Sequence, residues 1–365
     1  MTRTEEVQTK LERVRKFVAD EDIGAMVFAT RANFAWLTAG GSSHVGLSSE
    51  AGVCWLVVTA DGQHLVTNNI ESPRFEEEEV GDLPFEIHYM QWDEEDREAI
   101  LEAIADGPYG TDAPLGLGQD VSGRFNPLRW QLLEPEIARY EEIGRLASEA
   151  IASTGREIEP GMTEHEIAGI LMGKVFAAGA TPAVALVAAD ERTLRYRHPI
   201  PTDRRLEKHA MLVIGATKYG LGTFATRMVH FGEPPAELRD KHVACCRVDA
   251  CVNLESVPGA VVGDVFDRAV AVYEQTGFGD EWRLHHQGGA TGYAAREYKG
   301  TAHSTERVLA NQAFAWNPSI TGTKSEDTMI ATADGLRFLT TTADWPTLQV
   351  TYEGVTLERP DTLIR

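Results

Sequence analysis

The first pattern along the chain is amphipathic. EEVQTKLERVRKFVADEDI alternates charged and apolar positions at helical spacing and predicts a helix. An apolar run, GAMVFAT, predicts a strand directly after it. RANFAWLTAGG follows, and then GVCWLVVTADGQHLVT, which reads as β structure broken by a turn at Asp61-Gly62. Glu76 to Glu79 reads as a solvated acidic face. Gly, Pro and Asp crowd the stretch from Gly107 to Pro135, the composition of an interdomain linker. Residues 1–135 are therefore expected to form a small α/β domain with its linker. From Glu136 the pattern turns helical again in IARYEEIGRLASEAIASTGREI, which ends before Pro160-Gly161. Thr163 followed by Glu166 makes a capping box for a second helix to about Ala178. Short β-type runs come next: AVALVAA, AMLVIGAT, TFATRMVHFG and, later, AFAWNPSI and TMIATADGLRFLT. Two helices, PAELRDKHVACCRVDACVNL and VFDRAVAVYEQTG, interrupt them. Helices, strands, helices, strands over 136–365 predict an α+β domain, an antiparallel sheet covered by helices on one face.

Composition supports two domains, since 365 residues exceed one ordinary core. No stretch approaches the roughly 18–20 uninterrupted apolar residues of a membrane span. The charged first helix lacks a signal-peptide core, so a cytoplasmic protein is expected. The formal net charge is -22, which repels nucleic-acid backbones. Only eight basic residues are Lys, the rest being Arg. An acidic, Lys-poor surface suits molar salt, where screening shortens to roughly 3 Å, and a halophilic source is expected. Cys54, Cys245, Cys246 and Cys251 fit neither a paired zinc motif nor a disulfide framework; a reduced compartment accounts for them.

Specific residues then carry a resemblance. RANFAWLTAGG is similar to the strand, Asn and apolar-Leu-Thr-Gly pattern of the creatinase-type amino-terminal domain. ARYEEIGRLASEAI, EPGMTEHEIAG and the region around His198 resemble the pita-bread fold of methionine aminopeptidases, proline-specific aminopeptidases, prolidases and creatinase, the M24 family. The most specific match is GATKYGLGTFATRM, which aligns without gaps to the family's Gly-Ala, Gly-Tyr and Asp-x-Thr-Arg stretch. Metal-dependent members place two Asp, one His and two Glu around two divalent ions. On these motifs the positions fall on Val213, Phe224, Gly289 (within His285-His286-Gln287-Gly288-Gly289-Ala290-Thr291-Gly292), Asn317 and Glu326. Only Glu326 is retained. The resemblance thus implies the pita-bread fold, no metal ligand set of the usual kind, and no cofactor.

Function is expected to follow creatinase, which uses no metal. Arg197-His198-Pro199 resembles the segment bearing that family's catalytic histidine, and an imidazole moves protons near neutral pH without help from an ion. His198 is the expected proton shuttle; Glu326, with Glu297 as a second candidate, is expected to hold a cationic group or orient water. Arg227, His285, His286, Asn317 and Lys324 are the expected substrate contacts, and Glu326 needs a cationic partner in Lys324, Arg227 or the substrate. A small molecule or short peptide would be cleaved at a C–N bond. The alternative is a pita-bread binding or scaffold module. A third reading is an aminopeptidase-type metallohydrolase with a single-metal site rebuilt from His285, His286, Glu326 and Asp327, against which a strand would send the adjacent histidines to opposite faces. The resemblance also implies a homodimer in which Asn33, Trp36 or His44 borders the partner's site.

Overall fold

The computed structural model describes residues 1–94 and 96–365. They form two compact units, residues 1–136 with 219–221, and residues 137–218 with 222–365.

The first unit opens on a helix at Arg3–Asp20, started by a capping box between Thr2 and Glu5. Its sheet runs β1 (Ala25–Thr30), β2 (Ala51–Thr59), β3 (Gln63–Asn68), β4 (Glu86–Met90), β5 (Tyr109–Thr111) and β6 (Gln119–Asp120). The spatial order is β4-β3-β2-β1-β5-β6, with β2 and β3 joined across Asp61-Gly62, where Thr59 Oγ1 accepts the Gly62 N–H at 2.8 Å. The Gly- and Pro-rich stretch is built into this unit instead of running free. It supplies β5 and β6, and Phe125, whose ring meets Phe17, Phe28 and Trp36 at centroid distances of 5.3, 4.8 and 5.7 Å. It also supplies Asp112, which accepts hydrogen bonds from the Ala29 amide and the Asn33 amide group at 2.8 and 2.9 Å. Two expectations change here. Glu79 is ion-paired to Arg74 at 3.0 Å and not part of a solvated face, because its other oxygen caps the Ser42 amide. Asn33 and Trp36 are buried in their own unit's core, Asn33 between Asp112 and Arg129, so neither side chain is available to another site.

In the second unit a helix at Glu134–Glu157 precedes the helix Glu164–Ala177, whose capping box is Thr163 and Glu166. The strands are β7 (Thr181–Ala189), β8 (His209–Lys218), β9 (Leu221–His230), β10 (Gly288–Thr291), β11 (Tyr298–Lys299), β12 (Gln312–Trp316), β13 (Ser319–Ile320), β14 (Thr323–Lys324), β15 (Asp327–Thr332), β16 (Gly335–Phe338), β17 (Thr347–Tyr352), β18 (Val355–Pro360) and β19 (Leu363–Ile364). They make two principal sheets, β19-β9-β8-β7 and β11-β10-β12-β15-β16. The two meet where Thr226 bridges Glu326 and where Thr328 Oγ1 bonds both the Phe224 amide and its carbonyl. Helices Ala236–Glu255 and Val262–Gln275 cover the second sheet. Cys245, Val248, Cys251, Val265, Val272 and Tyr273 pack with Phe314, Trp316 and Met329 in one core. The seam between the sheets positions the candidate site.

Candidate active site

Short-range structure aims three imidazoles at one point. His198 lies in the loop between the helix Glu191–Arg195 and β8. Its neighbour Arg197 anchors that loop on Glu281 at 2.5 Å and Thr321 at 2.9 Å. His285 and His286 immediately precede β10, and Gln287 pins them. The Gln287 amide group donates to the His285 carbonyl at 2.7 Å, and its oxygen accepts from the buried Tyr273 hydroxyl at 2.8 Å. His285 Nε2 lies 3.1 Å from His198 Nε2, so one neutral ring donates and the other accepts. The His285 and His286 rings are 4.5 Å apart. The expectation that they point to opposite faces fails because β10 begins only at Gly288, whose φ of +92° lies outside a strand's range. The period-2 rule therefore does not reach them.

Beside the imidazoles Glu326 is fully engaged. Lys324 Nζ lies 2.7 Å from its Oε2, Thr226 Oγ1 donates to the same oxygen at 2.8 Å, and Arg296 reaches Oε1 at 3.5 Å. Burial pushes this carboxyl up, but Lys324 and Arg296 outweigh burial and the net shift is downward. Arg296, absent from the expected set, also stacks over Phe224 at 4.9 Å from the ring centroid. Its guanidinium meets the carboxylate across 30 residues of sequence, which no local pattern signals. One carboxylate facing two cations leaves the pocket positive, with exposed Lys299 adding to the field on His198 and His286.

The imidazoles respond accordingly. Burial, then Lys324, holds His198 below its ordinary value; the same two causes hold His285 at about 2, and burial with Arg296 holds His286 at about 4. All three are neutral at pH 7. Because an unfolded chain protonates His285 near the ordinary 6.5, the unfolded state takes up the proton first on acidification. Stability is therefore present above pH 6.5 and lost below it, by about 2 kcal/mol from His285 alone between pH 7 and pH 5. Urea unfolding across that range is expected to show the slope, and His285→Asn to reduce it by about that amount while His286 and His209 keep the remainder; equal slopes in both proteins would remove the effect.

Of the other expected contacts, Asn317 follows β12 and donates its backbone amide to Gln287 O at 3.0 Å, while its buried Oδ1 has no hydrogen-bond partner. Glu297 instead closes the turn after β10, accepting from the Ala294 amide at 3.1 Å. Arg227 is not brought to the pocket. It is 1% exposed and bonded to Asp327 at 2.9 Å and to Thr340 O at 2.7 Å. Asp327 in turn pairs with Arg359 at 2.8 Å, and Arg359 with Asp249 at 2.6 Å. Asp327 is therefore unavailable as a metal ligand, contrary to the third expected arrangement. A surface groove of about 660 Å³, bordered by Arg145, Glu149, Lys174 and Asp344, includes none of the three histidines.

Two principal sheets with a polar seam, preceded in the chain by a smaller α/β unit, define the pita-bread architecture. The chain belongs to metallopeptidase family M24, whose model matches residues 138–338, and the Creatinase/Prolidase N-terminal domain model matches residues 10–138. A Pyrococcus horikoshii Xaa-Pro dipeptidase is 22% identical over 354 residues, 91% of this chain and 97% of that one. The prolidase structure from Pyrococcus horikoshii OT3 superposes with a TM-score of 0.79 at 19% identity, covering 92% and 98% of the two chains. The N-terminal domain of FACT complex subunit SPT16 from Cicer arietinum superposes at 0.73 and 15% identity over 93% and 96%. Among the described residues no helix is long and apolar enough to cross a membrane.

The residues at the positions that the resemblance assigns to the family's two-metal centre do not fit it. Val213 packs among Leu186, Ala188, Met211 and Met228, and Phe224 is occupied by Arg296. At Gly289, with φ +147°, a Cβ would stand 2.3 Å from the Tyr298 carbonyl oxygen, so no side chain enters there without backbone movement. Asn317 is uncharged, and both Glu326 oxygens already face cationic side chains. A dication would have to displace Lys324 and Arg296 to bind one carboxylate.

Proposed function

We propose that this chain hydrolyses a C–N bond in a small amide, amidine or peptide-like substrate bearing an anionic group, without a two-metal centre. The 3.1 Å contact between His198 and His285 carries this reading. His198 is exposed, neutral at pH 7 and held in one orientation, the requirements of a general base. With its Nε2 donating to His285, His198 would take a proton from water at Nδ1 as the oxygen attacks the electrophilic carbon, then deliver that proton to the leaving nitrogen as the C–N bond breaks. Lys324 and Arg296 supply the positive charge for a substrate carboxylate or a developing oxyanion. Glu326, with both oxygens engaged, sets the position of those cations and does not itself grip a cationic substrate. Asn317 Oδ1, an unpaired buried acceptor, suits a substrate N–H. Net charge and four buried free cysteines favour a reduced, salt-rich cytoplasm; the homodimer rests on the family resemblance alone.

The test is amine release from a panel of Xaa-Pro dipeptides and small carboxylated amides, in chelator and high salt. His198→Ala is expected to reduce turnover by about 10²–10⁴-fold with unchanged circular dichroism. Full activity in the variant would remove His198 from the chemistry. If no compound turns over while a peptide binds, the scaffold reading takes its place.

One observation favours a second reading, a single metal on His198, His285 and His286, whose ligand atoms lie within 4.8 Å of one another. Two features oppose it. His286 Nδ1 accepts the Gly288 N–H at 3.2 Å, which leaves the proton on Nε2, and Lys324 and Arg296 repel a cation.

A further inference from the structure

The first unit carries a different constellation, independent of the function proposed above. β3 and β4 are parallel, with His64 opposite Glu86 and Val66 opposite His88. Side chains alternate along a strand, so Glu86 and His88 share a face, and His64 stands on that face directly across from Glu86. Their polar atoms converge. His64 Nδ1 lies 3.1 Å from His88 Nε2 and 3.5 Å from Glu86 Oε2, and His88 Nε2 lies 3.7 Å from Glu86 Oε1. The carboxylate thus turns one oxygen to each ring.

We propose that His64, Glu86 and His88 form a binding site for one zinc-type divalent transition-metal ion at the edge of the first unit's sheet. Nitrogen and carboxylate donors at about 2.0–2.2 Å from a tetrahedral ion stand roughly 3.3–3.5 Å from one another. His64 Nδ1 stands near that spacing from both His88 Nε2 and Glu86 Oε2, at 3.1 and 3.5 Å, and one ligand atom from each of the three residues lies within 4.8 Å of the others, so a small rotation of the exposed carboxylate completes the set. A hydrogen bond between two imidazoles requires only the 3.1 Å contact; it gives no reason for an exposed Glu86 to face both nitrogens. Two imidazoles and one carboxylate suit zinc, cobalt(II) or nickel(II), not calcium or magnesium, which take oxygen shells. β4 is an edge strand, so the fourth position opens to water. His64 is held in place from behind: a Cβ at Gly62 would stand 2.5 Å from its Nε2, so the glycine leaves room for the ring to turn Nδ1 toward β4.

The test uses the untagged full chain, stripped with chelator and exchanged into chelator-free molar KCl to suppress loose binding to the acidic surface. Cobalt(II) and zinc are titrated by calorimetry and, for cobalt, by visible absorption. One saturable equivalent is expected in the wild type. His64→Ala and His88→Ala are expected to weaken it by more than the roughly 10–100-fold that loss of even an outer-shell partner causes. Glu86→Gln, an exposed and nearly isosteric change, is expected to weaken binding while leaving the apo protein's unfolding midpoint unchanged. Zinc is expected to raise that midpoint in the wild type and not in His64→Ala. No binding in the wild type, or binding unaffected by both histidine variants, overturns the site. Binding lost in His285→Asn but kept in His64→Ala also overturns it, and transfers the ion to the second unit's histidines.

Discussion

Replacing Arg359 by Met is expected to lower the unfolding free energy by about 3–5 kcal/mol, the loss typical of breaking a buried ion pair from one side. Arg359 is fully buried between Asp249 and Asp327, and Arg227 closes the set against the other oxygen of Asp327. Two arginines balance two aspartates, so the network is neutral while intact. Without Arg359, Asp249 keeps only uncharged partners, Ser325 at 2.5 Å and Asn253 at 2.6 Å. Burial already raises its carboxyl against the pull of Arg359, and the variant would drive it toward the protonated form. Urea unfolding at fixed salt measures the difference. A loss under about 1 kcal/mol would mean that water reaches the network and compensates it. Adding Asp249→Leu to the variant is expected to recover part of the loss, because it removes the stranded charge.

The second large effect concerns Val213, the position that the resemblance assigns to the family's first metal carboxylate. Val213→Asp introduces a carboxylate there with little change in volume, yet it is expected to destabilise the protein by about 3 kcal/mol or more. Val213 is 3% exposed, and Leu186, Ala188, Met211 and Met228 offer the new carboxylate no donor. Nor would it gather ions, since Phe224 and Gly289 contribute no donor atom and Glu326 is held by Lys324. Unfolding midpoints with and without cobalt(II) decide the matter. A stable variant that takes up the ion at this position would show that the seam still tolerates a metal centre.

Local signals in the sequence proved readable where the cause is local. Thr163 and Glu166 cap a helix because the bonds span three residues, and the boundary follows at once. Gly215-Ala216 and Thr226-Arg227 bracket Val213 and Phe224, so the family resemblance assigns those two positions from short spacing alone. Arg227 was misplaced for the opposite reason. Its type and motif indicated a pocket residue, but its role is decided by Asp327 and Thr340, about 100 residues onward. Arg296 is legible only once the turn after β10 swings it over Phe224, and Asp249 meets Arg359 across 110 residues.

The sequence by itself determined the two-domain plan, most elements and the acidic balance of charge, since each follows from residue type, short spacing or composition. Tertiary structure alone decided the rest. It split the second unit's strands into two principal sheets and two two-stranded ones, turned His285 and His286 to one side, gave Glu326 to Lys324 and Arg296, and lined up His64, Glu86 and His88. These depend on which distant backbone segments pair, in what register, and how a buried charge finds its opposite. Hydrophobic periodicity specifies which face of an element is covered, but not which polar atoms the covering brings within hydrogen-bond reach.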